Sequence, residues 1–174
     1  MKIPVFVSCP TGLSPAQEGM RKIILQFLDD FDLELRALGR SDYPAEFPMR
    51  EVLVIARHCA GGLILGFEQF RATAGIRKPG ATDARPLKRK EVISFPTPWN
   101  HLEAGILFGL GLPIMIFREP QIAGGVFDNG VTDVFVHEIP DAAPSSHQQS
   151  ELKQIFLKWH ARVSARYYHM PSTP

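Results

Sequence analysis

The sequence predicts an α/β fold, a three-layer sandwich in which helices cover both faces of a five-stranded, mainly parallel sheet. Three observations carry that prediction. Short apolar, β-branched runs alternate with segments whose apolar residues recur at helical spacing, the rhythm of strands joined by crossover helices. Cap and breaker signals fall at the seams: serine or threonine before proline where helices would start, glycine or proline where strands would stop. The length of 174 residues, with 45% hydrophobic and 21% charged residues, suits one domain over 1–174 with a single core.

Ile3-Pro4-Val5-Phe6-Val7-Ser8 is an apolar run that breaks at Cys9-Pro10-Thr11-Gly12, a buried strand ending in a loop. Ser14-Pro15-Ala16-Gln17 then supplies an N-cap serine, a first-turn proline and a glutamine three places after the cap, the capping-box pattern. Behind it Met20, Ile24, Phe27, Leu28 and Phe31 form a helical stripe that would lie on the sheet. Leu33, Leu35 and Ala37 alternate with Glu34 and Arg36 up to Gly39, a half-buried strand at or near a sheet edge. Pro48 to Cys59 reads as a second helix and Ala60 to Phe67 as a buried strand. Thr97 and Pro98 open a further helix that reaches Gly111, and Leu112 to Phe117 is another buried strand. Val131 to Ile139 contains an alternating strand, Pro140 to Ser150 is a hinge, and a last helix runs from about Glu151 with Leu152, Ile155, Phe156, Trp159 and Val163 on one face. The count is about five strands and five helices, in the flavodoxin-like order 2-1-3-4-5.

Lysine and arginine number 19 against 18 for aspartate and glutamate, a formal charge of +1, which argues against bulk electrostatic binding of nucleic acid or an anionic membrane. No apolar run approaches the roughly 18 to 20 residues of a membrane span, and the N-terminus lacks the features of a signal peptide, so a cytoplasmic protein is expected. Periodicity disappears from about 68 to 96. Residues 71–90 hold seven Lys/Arg against the single acid Asp83, a mobile basic loop or insertion that is either solvated or draws a phosphate-bearing ligand towards the site. The two cysteines, Cys9 and Cys59, make neither a disulfide framework nor a zinc site, and the histidines show no ligand spacing; no metal or cofactor is expected.

An open parallel sheet binds ligands beyond the carboxyl ends of its strands, where the strand order reverses. That would bring together the loop from Cys9 to Ser14, the loop starting near Glu68 and the helix start at Thr97. The first loop is too poor in glycine for a P-loop or a dinucleotide fingerprint, which removes kinase and Rossmann dehydrogenase readings. Glu103 stands out. Trp99, Leu102, Ile106, Leu107 and Leu110 share its helical face, so a single acid sits on an apolar surface. Either it pairs with an arginine at the rim, or it borders a cavity where its ionisation is used. Gly105, Gly109 and Gly111 predict close backbone packing around this helix and favour the cavity. Asn100 and His101 in the first turn would bond ribose hydroxyls or be solvated, and Trp99 would stack on a base or fill the core. Arg40, Asp42 and Tyr43 follow the edge strand and would approach the crevice or belong to a polar loop.

The stretch from Thr97 to Phe117, with Trp99, Glu103, Gly105, Gly109, Gly111 and Pro113, resembles the helix-and-strand segment of nucleoside 2-deoxyribosyltransferases and related nucleotide N-glycosidases. The opening, Val5 to Pro10 and on through Ser14-Pro15-Ala16, is similar to that family's first strand and substrate loop. The same topology, with a glutamate in an equivalent helix, also characterises TIR domains that cleave NAD. The resemblance implies that Glu103 is the catalytic carboxylate and that Cys9, Pro10 and Thr11 hold sugar or phosphate. Deoxyribosyltransferases usually carry an aspartate in an Asp-x-Gly-Thr-like turn before this helix; here the stretch is Ser94-Phe95-Pro96-Thr97, and only the threonine matches. The resemblance therefore implies a broader expectation, that Glu103 acts at the anomeric carbon of a ribosyl or deoxyribosyl group.

Breaking an N-glycosidic bond builds positive charge on the sugar, which a fixed carboxylate beneath the anomeric carbon stabilises or captures covalently. A neutral base needs protonation to leave, by an acid such as Asp42 or His101, whereas the nicotinamide of NAD is already cationic. The expected function is therefore an N-glycosidase or (deoxy)ribosyltransferase acting on a small-molecule nucleoside, nucleotide or NAD. One alternative is a TIR-like NAD-cleaving or signalling enzyme of a bacterial defence system; another is a non-catalytic nucleotide sensor or interaction module. The apolar helices would permit a homo-oligomer.

Overall fold

A computed structural model describes residues 2–39 and 47–169. The chain runs β1 (Ile3–Ser8), α1 (Pro15–Asp30), β2 (Leu33–Arg36), α2 (Pro48–Arg57), β3 (Gly61–Gly66), then β4 (Phe70–Ala72), β5 (Ile76–Arg77), β6 (Arg85–Pro86) and β7 (Ile93–Phe95). It continues through α3 (Pro98–Gly109), β8 (Ile114–Arg118), a 3-10 turn (Gly125–Phe127), β9 (Val136–Glu138) and α4 (Ser146–His169). Five strands make one sheet in the order β2-β1-β3-β8-β9, every pair parallel. Numbered within the sheet, that is the predicted order 2-1-3-4-5, with β2 at an edge.

Side chains alternate across this sheet, and each face has its own cover. Val5, Val7, Leu63, Leu65, Met115 and Phe117 point to the layer of α1 and α4, where Phe156 stacks on Phe27 and Phe117 at centroid distances of 5.1 and 6.1 Å. Phe6, Ile64, Ile114 and Ile116 point the other way, to Val52 and Ile55 of α2 and to Ala104 and Leu107 of α3. Ser8 has the parity of Phe6, so the last residue of β1 turns its side chain towards α3. Two adjacent glycines let both helix layers close on β3: a Cβ at Gly61 would lie 2.6 Å from Val163, and one at Gly62 2.7 Å from Leu107.

The predicted caps form. Ser14 Oγ accepts from Gln17 N at 3.2 Å and Gln17 Oε1 accepts from Ser14 N at 3.0 Å, and Thr97 Oγ1 accepts from Asn100 N at 3.3 Å. Elsewhere the structure corrects the sequence reading. The described residues contain four α-helices, not five, because the β8–β9 crossover, broken by Pro120, Gly124 and Gly125, makes only a 3-10 turn. Helix α4 begins at Ser146, inside the expected hinge, on a second capping box in which Ser145 Oγ accepts from Gln148 N and Gln148 Oε1 accepts from Ser145 N. The basic segment is not a plain loop: β4 pairs antiparallel with β7, and β5 with β6, so part of its backbone is paired locally.

Helix α3 departs most from expectation. Its buried residues are Asn100, Glu103, Ala104 and Leu107, while Leu102 is 46% and Phe108 52% exposed. The predicted apolar face is thus rotated: the helix is apolar on nearly every side, and spacing alone does not choose which side meets the sheet. Gly105 and Gly109 face open space, so they do not mark close packing, and Gly111 ends the helix at φ +65°. Among the described residues, no helix is long and apolar enough to cross a membrane.

Candidate functional site

The carboxyl ends of β1 and β2 and the first turns of α2 and α3 enclose a cavity of about 310 Å³, lined by Cys9, Pro10, Thr11, Leu38, Gly39, Pro48, Thr97, Trp99, Asn100 and Glu103. It opens beside the point where the chain, having placed β2 on one side of β1, crosses to place β3 on the other. Its walls follow from local chemistry. The Pro10 loop cannot continue the strand, the threonine cap and Pro98 start α3 just below, and one turn of that helix carries Asn100 and Glu103 on the same buried face.

Glu103 is 9% exposed. Burial pushes its carboxyl up to about 7, with the neighbouring Ser8 hydroxyl acting in the opposite direction. Both protonation states of Glu103 are therefore populated near neutral pH. Asn100 supplies the polar floor: its Nδ2 donates to Ser8 Oγ at 2.8 Å and to Leu65 O at 3.4 Å, and Thr97 Oγ1 donates to its Oδ1 at 3.4 Å. Glu103 is thus buried in the cavity wall and not at an exposed rim, and among the described residues no cation contributes to its ionisation.

Of the residues expected at the site, Cys9, Pro10, Thr11, Trp99, Asn100 and Glu103 share this cavity. Trp99 is 39% exposed and lies in its wall, not in the core. His101 points elsewhere. Its ring meets Phe127 edge-on at 5.4 Å and fills the space beside Gly125, and burial lowers its pKa, leaving it neutral at pH 7. Arg40, Asp42 and Tyr43 lie outside the described residues. Sequence reasoning missed Ser8, whose signal was a polar residue ending an otherwise apolar buried strand, and it missed Leu38, Gly39 and Pro48, contributed by the end of β2 and by α2.

The loop after β3, expected at the crevice, does not line the cavity. Its Glu68 is occupied instead: Arg71 and then the Ser94 hydroxyl bond its carboxylate and hold it below the usual range. Glu68 N donates to Glu119 Oε2 at 2.6 Å, and Gln17 Nε2 donates to Glu68 O at 3.2 Å and to Glu119 Oε2 at 3.1 Å. This network ties the base of the basic insertion to α1 and β8. A larger cavity of about 790 Å³ lies towards the other edge of the sheet, between β8, β9, α1 and α4. None of the buried polar or charged side chains described, Ser8, Ser94, Asn100 and Glu103, lines it, so the smaller cavity is the one with a desolvated carboxyl in its wall. No group of three or more His, Cys, Asp or Glu among the described residues could hold a metal ion.

No protein-family model matches the chain, and no curated protein matches it in sequence.

Proposed function

We propose that the protein is an N-glycosidase or (deoxy)ribosyltransferase that opens the N-glycosidic bond of a nucleoside, nucleotide or NAD, with Glu103 at the anomeric carbon. The observation that carries this reading is a desolvated carboxylate, shifted to about 7 and facing a cavity with no cationic partner among the described residues. Such a group is free to meet positive charge that develops on a substrate. As the C1′–N bond breaks and the base departs with its electron pair, the ionised carboxylate stabilises the oxocarbenium character at C1′ or bonds to that carbon; water or an acceptor then attacks C1′, loses its proton and releases the carboxylate. Trp99, in the wall of the same cavity, is the proposed stacking surface for a base, and Cys9, Pro10 and Thr11, which also line it, are the proposed contacts for sugar or phosphate.

Within this class NAD is the favoured substrate, on a specific ground. The stretch before α3, Ser94-Phe95-Pro96-Thr97, lacks the aspartate with which deoxyribosyltransferases orient the base or donate a proton, and His101 faces away, so a leaving group that needs no protonation is favoured. Nicotinamide needs none. This is the chemistry of a TIR-like NAD-cleaving enzyme, including one that serves a bacterial defence system. A cytoplasmic homo-oligomer belongs to the same proposal, since Leu102 and Phe108 leave apolar surface on α3 beside the site. The test is to incubate the protein with NAD and, separately, with deoxynucleosides plus a free base, following nicotinamide release or base exchange by chromatography. Wild type should form product with one of them and Glu103→Gln should lose at least about a hundredfold of that rate. Product unchanged in Glu103→Gln would remove the mechanism; no product from any substrate would leave a nucleotide sensor.

A further inference from the structure

The formal charge of +1 is unevenly spread. Residues 70–95 hold seven Lys/Arg against Asp83 and Glu91, a net +5, and the rest of the chain, with 12 Lys/Arg against 16 Asp/Glu, stands at −4. Three cations of this insertion are engaged: Arg71 with Glu68, Arg77 with Glu91 at 2.8 Å, and Lys78 with Asp83. The other four, Arg85, Lys88, Arg89 and Lys90, are exposed and form no salt bridge among the described residues. Glu91 does not reach the side chains of the 88–90 run, because one of its oxygens takes Arg77 and the other takes the Lys88 backbone N–H at 2.8 Å. The turn so closed presents three consecutive cations to solvent. The same insertion leaves flat apolar surface open. The register of β4 and β7 puts Phe70 across from Phe95 on one face of the ladder, with ring centroids 6.1 Å apart, while Ser94 turns to the buried side. Phe70 is 64% and Phe95 43% exposed. A chain reaches at most about 3.6 Å per residue, so Lys90 lies within roughly 18 Å of Phe95.

We propose that the insertion, residues 70–95, binds single-stranded nucleic acid, with Arg85 and the 88–90 run meeting phosphates and the Phe70–Phe95 pair stacking bases. Unpaired cations and open rings on one small unit match the two things a single strand offers together, a charged backbone and free base faces. A duplex hides its base faces and would leave the rings unused. An acidic protein would answer the cations alone. A loop that enters a membrane needs apolar side chains at its leading turn, and the turn between β5 and β6, residues 78–84, holds no aromatic or branched apolar side chain; the two rings stand back in β4 and β7, where the insertion joins the body. The negative charge of the remaining chain confines such binding to the insertion, which agrees with the lack of bulk attraction expected from the overall balance. The proposal makes no use of Glu103 and goes beyond the glycosidase reading.

Fluorescence anisotropy with labelled oligothymidylate and oligouridylate of about 12 nucleotides tests this, since phosphates and base faces are common to DNA and RNA. Wild type should bind at least one of them, more tightly than a duplex of the same length, with log Kd rising linearly with log salt concentration. Lys88→Gln, Arg89→Gln and Lys90→Gln combined should lower that slope by about 2, at roughly 0.7 per cation lost from a single strand. The turn survives these changes, because Glu91 bonds the backbone of residue 88 and not its side chain. Phe70→Ala should weaken binding roughly tenfold and leave the slope as it was. Circular dichroism of each variant checks that the fold is retained. No binding at low salt, a slope unaltered in the triple variant, affinity indifferent to Phe70→Ala, or a duplex bound as tightly as a single strand would each overturn the proposal. So would tighter binding of polyglutamate or of vesicles rich in phosphatidylserine, which would assign the surface to an acidic protein or to a membrane. No turnover enters these measurements, so their outcome and the outcome of the glycosidase assay are separate results.

Discussion

Replacing Glu103 by glutamine should stabilise the protein, and only above a certain pH. Glutamine keeps the shape and length of the side chain and removes the charge that burial penalises. The folded carboxyl sits at about 7 against the usual 4.5, so between those values the native state binds more protons at this position than the unfolded chain does. Stability then falls as pH rises: the contribution is intact below 4.5, declines through about 7, and is lost above it. At about 1.4 kcal/mol per pH unit, the full difference is on the order of 3 kcal/mol. Glu103→Gln does not incur this loss. Urea denaturation of both proteins near pH 5 and near pH 8.5 should therefore give similar stabilities at the lower pH and an advantage of about 3 kcal/mol for the variant at the higher one. An equal difference at both pH values would refute the reasoning, since it would mean that the carboxylate is solvated or paired in the folded protein.

Other parts of the fold give three more expected outcomes. Gly66→Ala should lower stability by about 1–3 kcal/mol in urea denaturation, because the new Cβ would lie 2.4 Å from Cε1 of the fully buried Phe127. Ser14→Ala removes one half of the α1 capping box and should cost about 1 kcal/mol in the same assay, with the far-ultraviolet spectrum little changed. Glu68 has the opposite sign to Glu103: its carboxyl is held below the usual range by Arg71 and Ser94, so its contribution is present above 4.5 and lost as pH falls through its lower folded value. Glu68→Gln should therefore destabilise the protein at neutral pH and lose that difference in acid, which a series of thermal melts from pH 7 downward would record.

What could be read in the sequence was what short-range chemistry decides. The β1 run, the Ser14–Gln17 cap, the Thr97 cap and the edge position of β2 each depend on neighbours within a few residues, and each is found in the structure. The strand order followed from crossover geometry, which allows few alternatives. Glu103 was legible as an anomaly of composition, an acid within an apolar helix. Its surroundings were not. The buried side of α3 is chosen by where Gly62 leaves room on β3 for Leu107, a contact 45 positions away, and no periodicity within the helix contains that information. Ser8 likewise acquires meaning only beside Asn100, 92 residues later in the chain. The 71–90 segment hid its short strands because two- and three-residue ladders leave no alternation to detect. The start of α4 was misplaced for a different reason: its cap signal, Ser145 to Gln148, was present, but the apolar stripe begins only at Leu152.

The proposed chemistry requires Glu103 to meet a sugar carbon inside the cavity between β1, β2, α2 and α3. A crystal structure of Glu103→Gln, slowed in chemistry and soaked with the substrate that wild type consumes, would show whether it does. The base should lie against Trp99 and the anomeric carbon within about 3.5 Å of the residue-103 side chain, the distance of a near-attack arrangement. A sugar bound in the larger cavity beside β9 and α4, or an anomeric carbon turned away from position 103, would contradict the proposal.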